Sequence, residues 1–115
     1  MRTFFLKTLG VTLLFSCGTS AVAGQVGWVT NAKVRSIVAT ANGGINFRLI
    51  PDLSGCVSQS GYGSLYASVY PGNPALKNIQ SILLTAYIAN KPVAVYISDT
   101  SCTVQEVVLS DLGTY

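Results

Sequence analysis

Residues 73–92, NPALKNIQSILLTAYIANKP, decide how the rest of this chain is read. Asn73 can accept a hydrogen bond from a free amide at a helix start, and Pro74 suits a first turn whose amides have no intrahelical partner. Leu76, Ile79, Leu83 and Ala86 then recur at helical spacing, with Ile82 and Tyr87 widening the apolar stripe. Lys77, Ser81 and Thr85 stand four apart on another face. The helix should end near Asn90, because the residue before Pro92 is pushed out of the helical region.

On both sides of this helix the period changes from helical to alternating. Lys33 to Thr40 carries Val34, Ile37 and Val38 and reads as a first strand, followed by a hairpin turn at Asn42, Gly43 and Gly44. Ile45, Phe47 and Leu49 alternate with Asn46 and Arg48 in a second strand that Pro51 ends. Residues 52–63 are rich in Ser and Gly and read as a long loop, with Gly61, Tyr62 and Gly63 as turn geometry. Ser64 to Tyr70 reads as a third strand, with Leu65, Ala67 and Val69 inward and Tyr66, Ser68 and Tyr70 outward. After the helix, Val93, Val95 and Ile97 alternate with Ala94 and Tyr96 as a fourth strand. Val104 to Leu109 supplies a fifth, whose faces the run Val107, Val108, Leu109 leaves unassigned.

Strand, strand, strand, helix, strand, strand is the order of an OB-fold. The expectation is a mainly β domain: a small five-stranded barrel with one helix between its third and fourth strands. A plain β-sandwich would leave the helix unexplained. In such a barrel the third and fifth strands run parallel, so the turns entering them lie at one end, and those turns hold Cys56 and Cys102.

The beginning of the chain reads differently. Arg2 and Lys7 form a basic head, Leu9 to Phe15 a short and mostly apolar run, and Ala21, Val22 and Ala23 a small-x-small cleavage site. The run is too short to cross a hydrocarbon core about 30 Å thick, so the expectation is a cleaved signal peptide over residues 1–23 and no membrane span. A domain of residues 24–115 would then be secreted or periplasmic. The competing reading is a lipoprotein site at Leu14 to Cys17, acylated on Cys17, where Phe15 is large for its position. With cleavage after Ala23, Cys56 and Cys102 are the two remaining thiols in an oxidising compartment, and a disulfide between them is the expectation over a metal or catalytic role. Such a staple helps a domain of 92 residues, near the size at which a core alone is marginal.

Several classes of chemistry lack their parts. The sequence has no histidine, which removes Ser/His/Asp and Cys/His nucleophile systems and the commonest transition-metal ligand. The carboxylates are Asp52, Asp99, Glu106 and Asp111, none adjacent in sequence, and no local motif asks for a pair. No catalytic residue, metal site or cofactor is assigned. Lys33, Arg35, Arg48, Lys77 and Lys91 are spread along the chain rather than forming the dense stripe that nucleic acid requires. Trp28, in the lead before the first strand, is expected to pack over an end of the barrel.

The exported size, the early Trp28, the first strand near Val34 to Val38, the helix core Ser81 to Tyr87 and the segment Pro92 to Ile97 together resemble the OB-fold B subunits of secreted bacterial toxins, in particular of the subtilase cytotoxin type. The resemblance implies a non-enzymatic subunit that closes into a pentamer, binds host glycans and carries a separate toxic A chain. It implies that the helices line a central pore, which would place Lys77, Ser81 and Thr85 there. Where that family has a sialic-acid-binding serine before its first strand, this sequence has Val29, Thr30, Asn31 and Ala32, so Thr30 and Asn31 are the candidate glycan contacts. The outward Tyr66 and Tyr70 are further candidates, as a sugar platform or a subunit contact. The alternative reading is a periplasmic structural or inhibitory module that binds another protein through the Tyr66 and Tyr70 face.

Overall fold

The structure is a computed structural model and describes residues 26–110. The signal peptide expected over residues 1–23, its cleavage after Ala23 and the acylation alternative at Cys17 lie outside the described residues.

Five strands form one sheet: β1 (Gly27–Ala39), β2 (Ile45–Ile50), β3 (Tyr66–Val69), β4 (Val93–Ile97) and β5 (Val104–Leu109), in the order β3-β2-β1-β4-β5. Every neighbouring pair is antiparallel. Among the described residues one α-helix, α1 (Leu76–Ala89), lies between β3 and β4 in the chain and packs against β1 and β5. β1 serves both halves of the sheet, pairing with β4 from Gly27 to Ala32 and with β2 from Lys33 to Ala39.

β1 begins at Gly27 rather than at Lys33. Thr30 and Asn31 together oppose the single residue Ala94, a β-bulge with Asn31 at φ 56°, and this extra residue breaks the alternation that a period-two reading needs. Trp28 therefore lies within a strand, opposite Tyr96, and not in a lead over an end of the molecule. A second irregularity inserts Arg35 between Val34 and Ser36, and a third inserts Gln105 opposite the step from Tyr96 to Ile97. The last one resolves β5: Val104 and Val107 point inward on either side of the shift.

The inner face of the sheet and one stripe of α1 make the core. Its largest wholly buried side chains include Phe47, Leu49, Leu83, Ile97, Val69, Val93, Val95 and Val104. Ile79, Leu83 and Ala86 supply the buried stripe of α1, while Tyr87, expected to widen it, is exposed. Asn73 bonds the Ala75 amide through its side chain at 2.8 Å and reaches the Val104 carbonyl at 3.3 Å, so it sets the helix entry against β5. Asn90 ends the helix in the left-handed conformation, and the Lys91 amide closes back on the Ala86 carbonyl at 3.0 Å.

Asn46 and Ser68, expected to face solvent, are wholly buried. The loop between β2 and β3 folds over them, and Gln59 is its anchor. The Gln59 side-chain amide donates to the carbonyls of Ile45 and Val69, both at 3.0 Å, and its oxygen accepts from the Asn42 amide at 2.7 Å. Asn46 donates to the Gln59 carbonyl at 2.8 Å and accepts from the Ser68 hydroxyl at 2.7 Å. Gly44 lies directly beneath: a Cβ there would stand 2.4 Å from the Gln59 oxygen and 2.7 Å from the Val69 carbonyl oxygen.

The same loop is tied to the β4–β5 turn. Cys56 and Cys102 form a disulfide with 5.1 Å between Cα atoms, and the Val57 amide donates to the Ser101 carbonyl at 3.1 Å. Asp99 shapes that turn by accepting from the amides of Ser101 and Thr103. Beside the disulfide, the Ser68 amide donates to the Cys102 carbonyl at 3.0 Å, and Ser68 and Thr103 form one parallel bridge. The two outermost strands thus meet at a single point, and the sheet is not closed along its length.

Candidate functional site

The described residues enclose no cavity and hold no group of three or more Cys, Asp and Glu placed to bind a metal ion. None of their helices is long and apolar enough to cross a membrane. The candidate sites are exterior faces, and the strand register states what each presents.

Partners directly opposite in an antiparallel pair project from the same side of the sheet. Trp28, Tyr96 and Glu106 make one exterior row across β1, β4 and β5. The Trp28 and Tyr96 rings lie 5.3 Å apart at 56°, both half-buried, and Glu106 is exposed beside them. Thr30 follows Trp28 on the same side, and the bulge turns Asn31 outward; both are exposed. The two residues singled out before the first strand therefore flank an aromatic pair. The signal for that pair was present in the sequence as Trp28 and Tyr96, but without the bulge no register connected them.

A second exterior row, Ser36, Arg48 and Tyr66, crosses β1, β2 and β3. Arg48 bonds Asp52 with two parallel contacts, Nε to Oδ1 at 2.7 Å and an outer nitrogen to Oδ2 at 3.1 Å. The hydrogen bond from Arg48 holds the Asp52 carboxyl below the usual carboxylate range, and the same bond raises the Arg48 guanidinium. Tyr62 stands edge-on to Tyr66 with 5.7 Å between ring centres. Ser36 Oγ is buried and has no hydrogen-bond partner among the described residues.

Tyr66 and Tyr70 do not form one surface. Tyr70 follows β3 and is exposed, but Ser68, between them, is covered by Gln59, so Tyr66 associates with Tyr62 instead. Nor do these tyrosines join Thr30 and Asn31. The six steps from Thr30 to Ser36 span about 20 Å of strand, and Tyr66 is two strands further across.

Lys77, Ser81 and Thr85 all lie on the exposed side of α1, with the two hydroxyls turned back onto the helix: Ser81 donates to the Lys77 carbonyl at 3.1 Å and Thr85 to the Ser81 carbonyl at 2.8 Å. Leu84, Tyr87 and Ile88 are exposed on the C-terminal half of the same side, at 49%, 52% and 74%. The outward side of α1 is thus polar at its start and apolar at its end. Comparison with protein-family models, curated proteins and solved structures finds no match for this chain.

Proposed function

We propose that this chain is an exported, non-enzymatic binding protein built on an OB-type barrel, and that it recognises glycans on the bulged exterior of β1. The observation that carries the reading is the row of Trp28, Tyr96 and Glu106 with Thr30 and Asn31 beside it. Aromatic rings supply flat apolar faces for a pyranose, and an exposed hydroxyl, amide and carboxylate beside them supply the hydrogen-bonding groups that fix its orientation. A bulge that re-aims side chains is a common way for a sheet to build such a place.

The barrel reading is supported by the element order, by β1 being shared between both halves of the sheet, and by the meeting of β3 and β5 at Ser68 and Thr103. Export is supported by the leader-like residues 1–23 and is compatible with the disulfide. The non-enzymatic part rests on the sequence, which lacks histidine. Within the resemblance to toxin B subunits, five copies would form a ring, Lys77, Ser81 and Thr85 would face its pore, and a separate toxic chain would be the partner. The apolar Leu84 and Ile88 beside them are a reason for α1 to pack against a neighbouring copy. The alternative protein-binding module through Tyr66 and Tyr70 has less support, because the Gln59 loop separates those rings.

A glycan array tests the glycan part. The protein is expected to bind a defined set of sugars, and Asn31→Gly is expected to lose at least most of that signal. Glycine keeps the left-handed backbone at this position, so the fold is retained while the side-chain amide is removed. An array without signal, or signal indifferent to Asn31→Gly and Trp28→Leu, contradicts the assignment; a strictly monomeric sedimentation profile contradicts the ring.

A further inference from the structure

Read along the chain, the basic residues are spread out; folding gathers three of them. Lys33 pairs across to Ile50, Arg48 pairs across to Ser36, and Arg35 is the extra residue at the bulge between them. These pairings put Lys33 and Arg48 on the exterior of the β1–β2 hairpin, and Lys33 and Arg35 are exposed. Successive same-side positions on a strand are about 7 Å apart, so the three cations share one small area. From Val26 to Tyr70 the only acidic residue is Asp52. Asp52 is engaged by Arg48 at 2.7 and 3.1 Å, and Arg35 is near enough to contribute to lowering its pKa. One carboxylate against three cations leaves this face positively charged. Tyr62 and Tyr66 border it, with Tyr62 48% exposed and their rings edge to face.

The geometry points to a second ligand surface on the exterior of β1, β2 and β3 that takes a sulfated polysaccharide: Lys33 and Arg35 pair with its sulfate groups while a sugar ring lies against Tyr62 and Tyr66. Exposed cations in a strand array suit a ligand with repeated fixed charges, since each pair alone is weak in water and several act together. A bilayer is another source of repeated anions. The polar-tipped tyrosine pair favours a sugar, whose hydroxyls the phenols can bond. This surface adjoins the one at Trp28, since Lys33 lies two residues beyond Asn31, but its other members Arg35, Tyr62 and Tyr66 lie outside that site and the proposal does not depend on it.

Elution from immobilised heparin, compared with elution from a sulfopropyl resin that offers charge without sugar, tests the proposal. The protein is expected to leave heparin at higher salt than the sulfopropyl resin, and the double variant Lys33→Ser, Arg35→Ser to bind heparin on the order of tenfold more weakly. Asp52→Asn is expected to elute later, because it removes the opposing charge. Tyr62→Ala is expected to lose the preference for heparin over sulfopropyl while keeping its retention on the latter. Circular dichroism of each variant reports that the fold is retained, as these side chains are outside the core. Trp28→Leu, which tests the other surface, is expected to leave heparin elution unchanged. Equal elution from the two resins, or heparin retention that survives the double substitution, overturns the proposal. So does binding to vesicles of phosphatidylglycerol that heparin does not compete away.

Discussion

Gln59 illustrates how one polar side chain can hold a loop on a sheet. It is 5% exposed, and its amide and carbonyl together engage Asn42, Ile45, Asn46 and Val69. A buried polar group left without its partner costs far more than the modest net value of the bond itself. Gln59→Ala therefore strands the Ile45 and Val69 carbonyl groups and the Asn42 amide; the expected loss is about 2–3 kcal/mol in chemical denaturation, with a local loosening of residues 52–65. Gln59 and Asn46 were not legible in the sequence. Asn46 sits at an outward position of a clearly alternating strand, and only the return of a loop 13 residues later makes that position interior. Alternation reports which side of a sheet a residue is on, and the sides here are both covered at that point.

The secondary-structure elements divide into those whose local signals agree and those interrupted by an extra residue. β4 and α1 belong to the first group. β4 alternates in sequence from Val93 to Ile97, although Ala94 on its outer side is buried as well, and α1 is preceded by Asn73, which bonds the Ala75 amide, and followed by a left-handed asparagine. The strand and the end of the helix were readable because propensity, period and punctuation coincide; the helix itself begins at Leu76, two residues after Pro74, with Ala75 rather than Asn73 at its cap. β1 and β5 belong to the second, since each contains a bulge that shifts the period by one and hides the faces from a sequence reading. The two sides of α1 should respond differently to truncation. Leu83 is wholly buried against the sheet, so Leu83→Ala is expected to lower stability by about 2–5 kcal/mol. Ile88, 74% exposed, lacks such packing, and Ile88→Ala is expected to leave denaturation of the isolated chain within about 0.5 kcal/mol of the parent. Equal effects at the two positions in thermal or urea unfolding would contradict the placement of the helix.

In the molecule as a whole, contacts far apart in sequence converge beside the disulfide. Cys56 and Cys102 are 46 residues apart, and next to them Ser68 bonds Cys102 and Val57 bonds Ser101. Joining loops of that length stabilises a chain by about 4 kcal/mol through the entropy of the unfolded state. The double variant Cys56→Ser, Cys102→Ser is expected to lose stability of that order, with the Ser68 and Val57 amides losing protection in hydrogen exchange before those of β4. The pairing of the cysteines and the order of the elements were readable from the sequence; the partial meeting of β3 and β5 was not, because β3 is only four residues long and β5 begins after the turn. Thr30 and Asn31 were found by resemblance and the aromatic pair beside them by register, and the claim that matters most is that these form one sugar-binding surface. The chain contains a single tryptophan, so the emission of Trp28 reports on that surface without interference. Titration with a glycan that the array identifies is predicted to shift and saturate the Trp28 fluorescence at the concentration that saturates binding; full binding with unaltered emission would contradict the account.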